Sequence, residues 1–144
     1  MLRYLLPALL TLACSGVQAD IAVIVHEHNP LPSLSENEIR KIFLGRLQLF
    51  PNSRSEILTL DQALDSPTLE RFYHTEVDMS PAQLSSYRAA YLFSGKGRIP
   101  DIEKDDLAVL ERVKSTPNAI GYVDLDTVDQ SAQLSGVKII YRLP

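Results

Sequence analysis

Tryptophan is absent from this 144-residue chain, and its single cysteine, Cys14, lies in a leader-like N-terminal stretch. Once that stretch is cut away no thiol remains, which excludes disulfide stapling, thiolate catalysis and Cys-based metal sites and leaves stability to packing. Positive charge is also scarce: 14 Lys and Arg face 18 Asp and Glu, a formal charge of −4, which becomes −5 when Arg3 leaves with the leader. Such a balance excludes nucleic acid or an anionic membrane as a general partner, because both require a basic face, but it leaves room for a local anion site. Nothing after residue 19 is continuously apolar for long enough to cross a bilayer. There is no internal repeat and no low-complexity tract.

What is present begins with the leader. Arg3 precedes an apolar run from Tyr4 to Ala13, and Val17-Gln18-Ala19 ends in the small residues that a signal peptidase accepts. Residues 1–19 therefore read as a cleaved secretory signal, with residues 20–144 exported to the periplasm. Thr11-Leu12-Ala13-Cys14 loosely matches a lipoprotein signal, but Thr11 stands where leucine is preferred, so cleavage after Ala19 is the favoured reading over lipid anchoring at Cys14. The exported part suffices for one core and is too short for two conventional domains.

The element signals follow in order. Ile21 to Val25 is a buried-strand run. Ser35 and Glu38 form a capping box, Leu34 and Ile39 a hydrophobic staple, and Ile39, Ile42 and Phe43 a stripe on a helix that stops at Gly45. Glu56 to Leu60 predicts a second strand, Ser66-Pro67 opens a helix with Leu69, Phe72 and Tyr73 inward, and Ser80-Pro81 with Gln83 opens another that runs to Gly95. A helix around Asp105 to Lys114 is expected to turn Leu107, Leu110 and Val113 inward; strands at Ala119–Val123 and Val137–Tyr141 flank a short acidic segment. The order β-α-β-α-α-α-β-β gives an α/β fold: a small mixed sheet flanked by helices.

The strand-to-helix junction from Leu60 to Thr68 carries most of the chemistry. Ligands of open α/β sheets collect beyond the carboxyl ends of strands, where a helix N-terminus offers N–H donors to an anion. Ser66 and Thr68 add hydroxyls and Asp61-Gln62 stands just before them; a carboxylate there can accept a hydrogen bond from protonated phosphate and repel fully ionised sulfate. The plainer reading is that Ser66 only caps its helix and Asp61 only shapes a turn. Ser94-Gly95-Lys96-Gly97-Arg98 is a second candidate, as an anion-contacting or partner-contacting loop with Arg98 as its contact, or else a helix cap followed by a solvated basic turn. His26, His28 and His74 make only a weak metal pattern, better read as surface histidines, and no cofactor is implied. Ser66 and Ser94 lie outside any nucleophile motif, so an enzyme is not expected.

Ile42-Phe43-Leu44-Gly45 after its Leu-Ser-x-x-Glu helix start, the Asp61-Gln62 to Ser66-Pro67 junction, and Ala119-Ile120-Gly121-Tyr122-Val123 after Thr116-Pro117-Asn118 resemble the phosphate-binding periplasmic proteins of ABC transporters. The resemblance covers roughly Ile21 to Asp124 and implies one lobe of a type II periplasmic-binding-protein fold. It further implies capture of inorganic phosphate or a similar anion, with Asp61 at the family's aspartate and Ser66 at its helix-capping serine, and a membrane permease as partner; the junction adds Gln62 and Thr68 to that site and the basic loop adds Arg98. Two departures stand out: the chain amounts to little more than one lobe, and the stretch from Leu60 to Ser66 has neither glycine nor arginine. The missing lobe leaves a homodimer, another polypeptide or no second lobe open. It also motivates the alternative of a single-lobe interaction domain that docks on an envelope protein without high-affinity ligand binding.

Overall fold

Residues 20–128 and 134–143 are described by the computed structural model. The leader-like segment 1–19 and part of the acidic stretch before the last strand lie outside the described residues. Nine elements follow: β1 (Ile21–His26), α1 (Glu36–Phe43), β2 (Leu58–Gln62), α2 (Pro67–Glu76), α3 (Pro81–Phe93), β3 (Asp101–Glu103), α4 (Asp106–Ser115), β4 (Ala119–Asp124) and β5 (Val137–Arg142).

The helix starts form where their side chains satisfy orphan N–H groups. Ser35 accepts from the Glu38 N–H while Glu38 reaches back to the Ser35 N–H, and Ser80 and Gln83 repeat this at α3. Ser66 caps α2 with Pro67 following, and Asp105 caps α4. Gly45 and Gly95, the two expected helix stops, both take left-handed backbone angles, φ 76° and 68°.

The strands lie in the order β3-β2-β4-β1-β5. β2 is parallel to both β3 and β4, whereas β1 runs antiparallel to β4 and β5. The carboxyl ends of β2, β3 and β4 therefore share one edge, and α2 and α4 begin at that edge. Alternation along β1 divides the core into two layers: Ile21, Val23 and Val25 pack with α1, α2 and Leu84 of α3, while Ala22 and Ile24 pack with Val109, Leu110 and Val113 of α4. The result is three layers, with helices on both faces of a mixed sheet.

Three details differ from the sequence expectation. β2 spans Leu58–Gln62 instead of Glu56–Leu60, because its ladder with β4 begins at Leu58 opposite Ala119. Asp61 and Gln62 thus belong to the buried end of the strand. β3 is an additional strand, held by parallel pairing of Asp101–Glu103 with Leu60–Gln62. On α4 it is Val109 that turns inward with Leu110 and Val113, while Leu107 is 44% exposed. Gly121 explains how closely that helix sits, since a Cβ there would lie 2.5 Å from Val109 Cγ1.

Candidate functional site

At the shared carboxyl edge two polar networks stand back to back. The inner one centres on Asp61, which is fully buried. Its Oδ2 accepts from the hydroxyl of Tyr73 and the guanidinium of Arg88; its Oδ1 accepts from the hydroxyl of Tyr122 and, at 2.8 Å, from the Gln62 N–H. Those four donors fill the acceptor positions of a carboxylate. Burial pushes the Asp61 carboxyl up from its ordinary value, and Arg88 with the two tyrosine hydroxyls and the Gln62 N–H pulls the other way. Burial and the Asp61 charge push Tyr73 and Tyr122 well above the ordinary phenol range, so both remain protonated donors. Tyr122 also stacks on Phe72, ring centroids 4.0 Å apart, which ties the network to the core of the α1–α2 side.

The outer network begins one residue on. Gln62 Nε2 donates to Asp106 Oδ1 at 2.7 Å and to the Tyr122 carbonyl at 3.2 Å, and its Oε1 accepts from Ser66 Oγ at 2.6 Å. Ser66 Oγ accepts in turn from the Leu69 N–H at the start of α2. Thr68 Oγ1 lies 3.4 Å from Asp106 Oδ2, which also accepts from the Thr127 hydroxyl, and the Asp124 N–H reaches Asp106 Oδ1 at 3.3 Å. Beside this, Arg71 on α2 pairs with Asp124 Oδ2 at 2.8 Å.

Chemically, the outer network gathers neutral donors around one oxyanion, the Asp106 carboxylate, at the first turn of α4 and next to the first turn of α2. The structure brings Gln62, Ser66 and Thr68 together around Asp106. Asp61 adjoins them through the Gln62 backbone, but its oxygens are turned into the protein. Arg98 is apart: it lines a recess with Gly45, Gln48 and the residues entering β2, at the opposite edge of the sheet. Asp106, Asp124, Thr127, Arg71 and Arg88 were not singled out from the sequence. Only Asp106 carried a signal, as an acid in the first turn of a charged helix, and nothing local tells that turn from an ordinary cap. His26 and His28 lie side by side with ring centroids 5.2 Å apart, while among the described residues no group of three or more His, Cys, Asp or Glu is placed to hold a metal ion.

No family model and no curated protein sequence matches the chain. Solved structures do. An ABC-type phosphate transport receptor from Vibrio cholerae superposes with a TM-score of 0.62 at 16% identity over 85% of this chain and 46% of that one. A Clostridium perfringens protein described as a phosphate ABC transporter substrate-binding protein, solved with bound phosphate, gives 0.63 at 21% identity, covering 85% and 45%. PstS from Borrelia burgdorferi gives 0.64 at 18% identity, covering 85% and 47%. The fold is therefore that of one lobe of such substrate-binding proteins, and the chain spans just under half the length of each. None of the three is described as an enzyme.

Proposed function

We propose that this chain is an exported, non-enzymatic solute-binding lobe that takes phosphate or a related small oxyanion at the β2–α2 junction. One observation carries the reading: the Gln62 amide and the Ser66 and Thr68 hydroxyls meet a helix N-terminus and a carboxylate at the carboxyl edge of three parallel strands. In it, Gln62, Ser66 and Thr68 donate to the anion. Asp106 takes the part the sequence reading gave to Asp61, accepting a hydrogen bond from a protonated anion oxygen. Sulfate, fully ionised, would meet that carboxylate with no proton to give and is rejected. Asp61 acts one step back, its buried pairing with Arg88 fixing the strand end that presents Gln62, and Arg98 takes no part in the anion contact.

The lobe supplies one side of the anion. Its other side is completed by a second body, whether a permease, an envelope protein or a second copy, and the fold likeness to transport receptors supports the first.

Comparison of two helix caps tests the reading. Ser66→Ala and Ser80→Ala should each cost about 1 kcal/mol of stability, since each removes one N-cap. Only Ser66→Ala should also diminish the rise in melting temperature that phosphate produces. Equal phosphate-induced rises in both variants and the parent would show that Ser66 does nothing beyond capping.

A further inference from the structure

Residues 39–55 and 81–100 of this acidic chain contain no Asp or Glu. The fold brings their ends together: the end of α1 with its following loop meets the second half of α3 and the loop to β3. Tyr87 and Tyr91 form the seam. Their rings stack with centroids 5.6 Å apart and 17° between planes. Each hydroxyl is tied down, Tyr87 donating to the Leu44 carbonyl and Tyr91 to the Gly45 carbonyl, both at 2.8 Å. Arg46 lies over the Tyr87 ring, 5.7 Å from its centroid. These side chains, with Ala90, Ser94 and Lys96, line an open recess of about 610 Å³.

Beside the recess the surface is apolar and protrudes. Phe93, the last residue of α3, is 97% exposed, and Leu92 is 51% exposed. Arg40, Arg71, Arg88, Arg112 and Lys114 each have a carboxylate partner. Of the cations with none among the described residues, Lys41, Arg46, Arg54, Lys96 and Arg98 fall in these two acid-free segments, and Lys104 and Lys138 lie elsewhere. A rigid tyrosine pair, an arginine with no ion-pair partner and a fully exposed phenylalanine have the composition of an interface centre, set where two acid-free segments meet.

We infer that the joined ends of α1 and α3 form a docking surface for an acidic segment of a partner protein. Phe93 enters an apolar socket on the partner, and the Tyr87–Tyr91 recess receives one of its side chains while Arg46 and Lys96 face its carboxylates. Charge complementarity selects the partner: a basic, aromatic face on a chain of formal charge −4 fits an acidic surface and repels a basic one. A bilayer would offer no side chain to a sculpted recess, and the rest of this chain would be repelled by anionic lipid. The surface is separate from the β2–α2 junction, so its use does not depend on anion binding there.

The test is selection of random phage-displayed peptides on the purified protein, followed by retention of the selected peptides on Phe93→Ser and on the double variant Arg46→Glu, Lys96→Glu. These positions are on the surface, and unchanged circular dichroism and melting would establish that the variants fold. The expected result is enrichment of Asp and Glu around a large apolar residue, with retention falling about fivefold or more on each variant and at high salt. Peptides without acidic enrichment, retention that ignores the substitutions, or no enrichment would overturn the inference. So would co-sedimentation with phosphatidylglycerol vesicles that the same substitutions abolish in the absence of peptide enrichment, which would make this face a membrane contact.

Discussion

Asp61 and Asp106 are both buried acids at the same sheet edge, and their surroundings give them different work. Asp61 is sealed among Arg88, Tyr73, Tyr122 and the Gln62 N–H, a pairing that positions a strand end. Removing one partner of a buried ion pair strands the other charge, which costs more than the pair itself contributes. Arg88→Met should therefore destabilise the fold by about 3–5 kcal/mol in urea denaturation. Adding Asp61→Asn to it should recover part of the loss, because the second change removes the stranded charge. A loss near zero for Arg88→Met would mean that Asp61 is held by the tyrosines alone. Nothing in the sequence singled out Arg88, because the carboxylate it meets lies in β2, 27 residues away in the chain. Asp106 showed only as an acid in the first turn of a charged helix, because the donors it gathers come from Gln62, Thr68 and Thr127, distant in the chain.

At the scale of elements, the helices were legible because their ends carry local chemistry. Ser35 with Glu38 and Ser80 with Gln83 close capping boxes that need no tertiary contact to be recognised. Strands carry less. β3 has three residues, and its strand character comes from the neighbouring β2 edge, so Asp101-Ile102-Glu103 had no pattern of its own. The shift of β2 by two residues has the same origin, since its register is set by β4 across the ladder. The contact between α4 and β4 was unreadable for another reason: Gly121 looks like part of a strand motif, while its role is to leave room for Val109 Cγ1. Gly121→Ala should push α4 off the sheet and cost about 1–3 kcal/mol, seen as a lower melting temperature. An unchanged melting temperature would mean that Val109 can turn aside without strain.

For the whole molecule, a single α/β core was within reach of chain length and element order, while the one-lobe fold came from the resemblance to phosphate-binding periplasmic proteins. The superposed receptors agree with the lobe reading, since each aligns over 85% of this chain and under half of its own length. A lobe of this kind offers one half of a cleft, with its donors already engaged by an internal carboxylate. On the proposed reading, binding exchanges hydrogen bonds held by Asp106 for hydrogen bonds to the ligand, so an anion that can donate a hydrogen bond to Asp106 gains over one that cannot. The second surface, at the ends of α1 and α3, faces a different partner with a different chemistry, aromatic and basic, where the junction is hydroxyl-rich.

Isothermal titration calorimetry of the purified protein with phosphate and then with sulfate, near neutral pH, tests the central claim most directly. Saturable heat with phosphate and none with sulfate is the expected result. Equal heats from both anions, or no heat from phosphate, would contradict it.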